Sequence, residues 1–198
     1  MRWDNLFDDL AGQLEHELGA EQLDLRGEEE RLRIGRLTVR DRLTALHDGA
    51  PRETGHPVRT QLVDGRQLTI RVRSIGRDWI MGDIDDESHA TVQCILPLAS
   101  IGSLVIDGEH LEQSFTATTG SAPRLSDRLG LTFVLRDLAR RRRAVELHLR
   151  FGVLHGTIDR VGRDHLDLAE HDTGTPRRQS EVARNRLVPL AHLIWVRL

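Results

Sequence analysis

The chain has 198 residues, of which 38% are hydrophobic and 30% are charged, and its formal net charge is −3. This composition is typical of a soluble globular protein and excludes a chain dominated by disorder. Cys94 is the single cysteine, which excludes an intrachain disulfide and a multi-cysteine metal site. Neither an export signal nor a membrane span is recognisable, so we expect a cytoplasmic protein without membrane contact.

The N-terminal region, residues 1–50, is predicted to be helical. Apolar residues recur at three- and four-residue intervals over residues 3–18, which is typical of an amphipathic helix, and Gly19 is expected to end it. A second helix is expected over residues 21–36. Thr38 is a suitable N-cap for a third, because its hydroxyl can accept a hydrogen bond from a free backbone amide.

Residues 56–107 show the alternation of apolar and polar residues that is typical of half-buried strands. Asp64-Gly65 predicts a tight hairpin turn, because glycine accepts the positive φ that such turns need. Pro97 interrupts the alternation before a short last strand. These signals predict five short antiparallel strands, enough for a small closed β-barrel.

Residues 124–198 repeat this plan after a polar linker, residues 108–123, which is rich in Thr, Ser and Gly. The segment IGRDWIMGDID, which starts at Ile75, returns as VGRDHLDLAEH, which starts at Val161. Both segments fall where the turn between the second and third strands is expected. The sequence therefore predicts an α+β protein in which N-terminal helices precede two helix-plus-five-stranded small β-barrels.

A helix followed by five strands, with a one-turn break before the last strand, resembles the Sm-like fold of the Sm, LSm and Hfq families. The most similar stretch starts at Gly156, which matches the family's glycine, and continues with Ile158 and Val161 at its two apolar positions. In that family the glycine relieves crowding where the second strand bends, a role that suits a residue without a side chain. The resemblance covers residues 56–106 and 142–198 and implies two tandem Sm-like barrels.

The chain departs from the family pattern at three positions. Gly162 stands where the family has an Asp, and Leu166 stands near the position of the family's base-binding Asn. In the first repeat, Ile70 replaces the glycine. Another SH3-like small barrel is therefore the alternative fold.

The resemblance also bears on assembly. Sm-like barrels close into rings because the fourth strand of one subunit pairs with the fifth strand of the next. The corresponding strands here are residues 91–96 with 103–106, and residues 183–188 with 193–198. The resemblance implies either a barrel-to-barrel contact within the chain or a closed homo-oligomer. We favour the homo-oligomer, because the apolar side of the first helix offers a second contact surface.

No segment carries a recognisable catalytic signature such as G-x-S-x-G, a P-loop, a dinucleotide-binding fingerprint or H-E-x-x-H. The ten histidines are spread over different predicted elements rather than clustered like metal ligands. The acidic cluster at residues 83–87 lacks the regular spacing and central glycine of a calcium loop, and Cys94 lies in an apolar strand. We therefore expect a non-catalytic protein with no metal and no other cofactor.

Charge is uneven along the chain, because residues 121–198 carry 15 arginines and 9 acidic residues whereas residues 1–55 carry 8 and 13. A basic segment predicts an anionic partner, so the leading function is RNA or DNA binding through the second barrel. The candidate contact residues are Arg140, Arg141, Arg142, Arg143, Arg177, Arg178, Arg184 and Arg186. The run of four also complements the negative end of a helix dipole, so a structural role stays open. The alternative function is a protein-interaction adaptor or oligomeric scaffold, with the acidic N-terminal helices as the surface for a protein partner.

Overall fold

The computed structural model describes residues 4–50, 57–85, 91–116, 124–172 and 182–198. The chain divides into two compact units, Met1–Thr38 and Val39–Leu198. Across the described residues, no helix is both long enough and apolar enough to span a bilayer.

The first unit contains one long helix, α1 (Asp4–Gly35). The prediction that Gly19 ends the helix is wrong, and the two helices expected in this region are one. A glycine inside a helix costs only about 1 kcal/mol relative to alanine, and the Leu, Ala and Glu residues around Gly19 are strong helix formers. Most of the predicted apolar stripe, residues 3–15, lies outside the described side chains.

The second unit contains three α-helices and ten strands within its described residues. The helices are α2 (Val39–Gly49), α3 (Gly108–Phe115) and α4 (Leu131–Arg140). The first five strands are β1 (Pro57–Leu62), β2 (Gln67–Ile75), β3 (Trp79–Asp85), β4 (Thr91–Pro97) and β5 (Ile101–Val105). The last five are β6 (Ala144–Leu149), β7 (Gly152–Val161), β8 (His165–Glu170), β9 (Arg184–Pro189) and β10 (Leu193–Arg197). We call α2 with β1–β5 the first half and α4 with β6–β10 the second half.

All ten strands belong to one antiparallel sheet in the order β5-β1-β2-β3-β4-β10-β6-β7-β8-β9. The predicted architecture of two helix-plus-five-stranded small β-barrels is therefore wrong. The physical reason is that β10 pairs with β4 as well as with β6, which merges the two halves edge to edge. This pairing is the contact within the chain that the sequence offered as an alternative to the homo-oligomer. The sheet is not closed, since β5 and β9 are its two outermost strands.

The two halves correspond strand by strand. In each half the second strand contains a bulge, at Arg73 on β2 and at Asp159 on β7. The fourth strand of each half ends at a proline, Pro97 or Pro189, and one turn of 3-10 helix leads into the fifth strand. The predicted hairpin turn before β2 is confirmed, since Gly65 has a φ of 88°. The bulges and the prolines serve as reference points: two residues at the same distance from them along equivalent strands are counterparts.

A glycine lets the second and third strands approach closely in each half. On β7, a Cβ at Gly156 would lie 2.2 Å from the carbonyl oxygen of Ala169 on β8. The first half has Ile70 at the equivalent position, and its glycine lies on the third strand instead. There a Cβ at Gly82 would lie 2.4 Å from the carbonyl oxygen of Arg71. Each half therefore relieves the same crowding with a glycine on one of the two strands.

Each half contributes large side chains to the core of the other. The core that contains Leu135 of α4 also buries Trp79 and Ile95 from the first half. The core that contains Leu43 of α2 also buries Trp195 from β10. Because burial of apolar surface is the main favourable term in folding, each half depends on the other for a complete core.

The turn between β2 and β3 contacts the first turn of α4. Asp78 Oδ1 accepts a hydrogen bond from the Leu131 amide at 2.7 Å and so caps a helix whose own N-cap residue, Gly130, has no side chain. The Trp79 indole donates to the Leu129 carbonyl at 2.9 Å. The Gly-Arg-Asp phrase of the first half therefore lies at the junction of the two halves.

Part of the predicted linker, residues 108–123, is helical. Its helix α3 packs against α2, where the Arg42 guanidinium donates to Ser114 Oγ at 2.8 Å. The same guanidinium lies 4.4 Å from the centroid of the Phe115 ring, a cation–π contact. These contacts attach the segment after β5 to the first half.

Gly156→Ala is expected to destabilise the fold by roughly 1–3 kcal/mol, because a methyl group against the Ala169 carbonyl forces β7 and β8 apart. Urea unfolding measures the effect. Gly108→Ala is the control, since a Cβ there has no neighbour within 4 Å among the described atoms. Equal unfolding free energies for the two variants would contradict the crowding explanation.

Candidate nucleic-acid interface

The arginine run begins where α4 ends. The Arg142 amide donates to the Ala139 carbonyl at 3.0 Å, and the Arg143 amide donates to the Leu138 carbonyl at 3.2 Å. These two hydrogen bonds form a Schellman motif, in which the residue after the C-cap is left-handed and is usually glycine. Arg142 occupies that position with a φ of 51°, which costs a residue with a side chain about 1–2 kcal/mol. The chain therefore holds an arginine where the backbone favours glycine.

Four arginines line a groove of about 550 Å³ between α4 and the end of β7. They are Arg136, Arg140, Arg142 and Arg160, and Asp159 is the one carboxylate among the described residues that line it. Arg136 and Arg140 lie one helical turn apart on the same side of α4. The Arg136 guanidinium donates to the carbonyls of Val161 and Gly162 at 3.3 and 3.2 Å, which fixes its orientation. The groove thus presents guanidinium groups from a helix, the turn after it and a strand.

Two of the groove arginines have no ion-pair partner in the described part of the chain. Asp137 accepts hydrogen bonds from Arg140 and Arg141, and these hold the pKa of its carboxyl below the usual range. Arg142 and Arg160, in contrast, pair with no described side chain. Among the described residues, an anion can therefore bind these two without displacing a carboxylate from either guanidinium.

The first half has no arginine at any of the equivalent positions. Aligning α2 with α4 on the buried leucines Leu43 and Leu135, and β2 with β7 on their bulges, identifies the counterparts. The counterparts of Arg136, Arg140, Arg142 and Arg160 are Thr44, Asp48, Ala50 and Ser74. An equivalent helix and strands therefore form in the first half without arginines at these positions, and its helix ends without this run of positive charge.

Two other predicted contact residues, Arg184 and Arg186, lie apart from the groove. Arg184 and Arg186 are on β9, which β8 separates from β7. The Arg186 guanidinium donates to Glu170 Oε2 at 2.5 Å and lowers the pKa of that carboxyl, so the charge of Arg186 is already balanced. Arg177 and Arg178 lie outside the described residues.

Sequence reasoning missed two groove residues, and four of the described residues that it predicted as contacts do not line the groove. Arg136 was detectable, because it precedes the run by one helical turn. Arg160 was not, because its place beside α4 depends on a bulge that alternation does not reveal. The predicted contacts that are not among the lining residues are Arg141, Arg143, Arg184 and Arg186.

A second polar cluster joins the two halves around His148 on β6. Arg66, from the turn before β2, lies 2.8 Å from His148 Nδ1, and because arginine can only donate, this nitrogen accepts and carries no proton. Nε2 lies 2.5 Å from Glu146 Oε1, and the ring stacks on Trp195 at a centroid distance of 3.8 Å. Burial lowers the pKa of His148, although Glu146 acts in the opposite direction. The imidazole is therefore neutral at neutral pH.

The cysteine, the acidic cluster and the possible metal ligands were the other candidates for chemistry in the sequence. Within the described ranges, no group of three His, Cys, Asp or Glu side chains could hold a metal ion. Burial raises the pKa of the Cys94 thiol to about 12, so it is not an activated thiolate. Of the acidic cluster, Asp83 pairs with Arg73 at 2.8 Å, and Asp86 and Glu87 lie outside the described residues. The groove offers charged hydrogen-bond donors, which suit phosphate oxygens.

Acidification is expected to destabilise the protein through His148. Because its pKa is lower in the folded than in the unfolded chain, the unfolded chain binds more protons below about pH 6.5, and stability falls as the pH drops through that range. His148→Gln keeps a neutral acceptor for Arg66 and should show a smaller fall. Urea unfolding of both proteins at about pH 8 and about pH 5.5 measures the difference. The same fall in both proteins would refute this role, since all other titrating groups are shared.

Comparisons of the chain with protein-family models, with curated proteins and with solved structures find no match. The resemblance to the Sm-like families therefore stays a prediction. The geometry of the groove is what supports a function.

Proposed function

We propose that this chain is a non-catalytic binding protein that contacts the sugar–phosphate backbone of RNA or DNA through the arginine groove, which is Arg136, Arg140, Arg142 and Arg160. The observation that carries the proposal is that these arginines occur in the second half and have no counterpart in the first. A planar guanidinium presents parallel N–H donors that match two phosphate oxygens. Four such groups in one groove are an arrangement expected for phosphate binding.

The groove suits backbone contacts better than base reading. Contacts to phosphates position a nucleic acid but carry no sequence information. The described residues that line the groove include no aromatic side chain on which a base could stack. The base-binding Asn of the families that the chain resembles is also missing. We therefore expect weak sequence preference.

Binding is expected to be confined to the second half. The chain as a whole has a net charge of −3, so its overall charge does not attract a polyanion. The excess of positive charge lies in residues 121–198, which contain all four groove arginines. A small number of phosphate contacts should therefore account for the affinity, and that affinity should depend on salt.

The second candidate function is a protein-interaction adaptor, and the exposed surface of α1 favours it. Leu23, Leu25 and Leu32 are exposed on this helix among acidic and basic residues. Exposed apolar side chains mark surfaces at which proteins dock. An adaptor of this kind needs no nucleic acid, so binding of a probe at low salt separates the two functions.

Replacing both Arg142 and Arg160 by glutamine is expected to flatten the salt dependence of binding to single-stranded RNA and DNA. Each neutralised phosphate of a single strand contributes about 0.7 to the slope of log affinity against log salt, so the double variant should lose roughly 1.4 if each arginine binds one phosphate. Titrations by fluorescence anisotropy from low to physiological salt measure the slope. Separate RNA, single-stranded DNA and duplex DNA probes identify which nucleic acid is bound.

Arg150→Gln is the matched control, because Arg150 is exposed, belongs to the second half and does not line the groove. This change should leave the slope as in the unmodified protein. If no probe binds at low salt, the proposal fails and the adaptor function is favoured. An equal loss of slope in the control and the double variant would also exclude the groove as the contact site.

A further inference from the structure

The two outermost strands of the sheet are counterparts of two strands that pair inside it. Among the described residues, β5 pairs with β1 alone and β9 pairs with β8 alone. Strand β5 is the fifth strand of the first half, as β10 is of the second, and β9 corresponds in the same way to β4. Strands β4 and β10 pair with each other. The two free edges of the sheet, β5 and β9, are therefore the same two strand types that pair with each other as β10 and β4 inside it.

We propose that β9 of one copy of this chain pairs with β5 of a second copy, and so repeats between chains the antiparallel joint of β4 and β10. An edge strand exposes unpaired backbone amides and carbonyls, which are a template for another strand. The joint within the chain shows that these two strand types fit each other. A second copy of the chain is the partner that carries both.

The joint within the chain defines a register. In it Val196 lies opposite Ile95, Arg197 lies opposite Cys94, and the Leu198 amide donates to the Gln93 carbonyl at 3.0 Å. Counting from Pro97 and Pro189 transfers this register to the free edges. The pairs between chains are Leu104 with Leu187 of the second copy, and Val105 with Arg186 of the second copy.

The exposure of equivalent residues supports this pairing. Ile95 is 0% exposed in the joint within the chain, whereas its counterpart Leu187 is 65% exposed on the edge of β9. Val105 on the edge of β5 is also exposed. Arg186 would enter the contact already paired with Glu170, so its burial leaves no unbalanced charge. The free edges thus expose apolar side chains at positions whose counterparts are buried in the joint within the chain.

A groove beside β5 lies where a side chain of the second copy would be buried. In the second half, Leu131 at the start of α4 is 8% exposed because Trp79 and Ile95 pack in the same core. Its counterpart Val39, at the start of α2, is 50% exposed. Val39 lines a groove of about 220 Å³ with Leu104 and neighbouring residues of β5. Leu187 of a second copy would occupy this groove as Ile95 occupies its equivalent.

The assembly is head to tail, because the two contact surfaces differ. One joint between two chains leaves one β5 edge and one β9 edge free, so further copies add until the ends meet. An interface of one surface with itself would instead stop at a dimer. The two geometries can be told apart with variants that each disable one surface.

Leu187→Asp disables the β9 surface and Val39→Asp disables the β5 surface, since each places a carboxylate where the joint buries an apolar side chain. Both side chains are exposed, and an acidic residue at the start of α2 favours the helix, so both variants should fold. Sedimentation velocity of the unmodified chain should show species larger than the 22.5 kDa monomer that grow with concentration. Each variant alone should be a monomer. An equimolar mixture of the two should form a dimer and nothing larger, because one intact surface remains on each.

Leu125→Asp is the control, because Leu125 is exposed on the turn before α4 and lies on neither edge strand. This variant should assemble like the unmodified chain, and circular dichroism should show all three variants folded. An unmodified chain that stays monomeric at the highest soluble concentration overturns the proposal. A single edge variant that still dimerises, or a mixture that stays monomeric, overturns the head-to-tail geometry.

Paired cysteines test the register. Arg197 and Cys94 form a non-hydrogen-bonded pair, so their counterparts in two chains should have Cα atoms about 4.5 Å apart, within reach of a disulfide. A chain with both Val105→Cys and Arg186→Cys should form disulfide-linked multimers with a copper–phenanthroline oxidant, and the native Cys94 is buried and should not react. Val105→Cys with Asn185→Cys is the control, because a shift of one residue places the thiols on opposite faces. Equal crosslinking of the two chains contradicts the register.

Discussion

The pairing of β10 with β4 is the contact on which the rest of the structure depends. The last strand of the chain lies between the two halves and pairs with both. Because of this position, Trp79 and Ile95 complete one core and Trp195 completes the other. Separating the halves would expose these side chains in both cores at once. Each such side chain that leaves the core costs about 1.5–3 kcal/mol of folding free energy. From α2 onward the chain is therefore expected to unfold as one cooperative structure.

The repeat keeps a common backbone while its side chains have diverged. In both Gly-Arg-Asp turns the Asp carbonyl accepts a hydrogen bond from the residue after the fourth strand: Leu98 donates to Asp78 at 2.9 Å and Leu190 donates to Asp164 at 2.8 Å. The carboxylates differ, since Asp78 caps α4 whereas Asp164 pairs with its neighbour His165 at 2.9 Å. The arginine groove is a second example of a shared backbone with different side chains. The helix and the bulge occur in both halves, whereas the arginines occur only in the second.

Much of the local structure could be predicted from the sequence, because it depends on residues a few positions apart. The turn at Gly65 requires a positive φ, and Pro97 cannot continue the hydrogen-bond ladder of a strand. Helical spacing places Arg140 on α4. Glycine signals were less reliable, since Gly19 lies inside a helix and Gly82 has a role that no local pattern indicates.

The sequence by itself determined the strands, their turns, their repetition and the arginine run at the end of a helix. Only the tertiary structure decided that the two sets of strands share one sheet, because alternation specifies which face of a strand is buried and not which edge it pairs with. It likewise decided that Arg160 joins Arg136, since α4 must pack on β7 before they meet. Both decisions depend on contacts between residues far apart in the chain, and such contacts leave no periodic signal in a sequence.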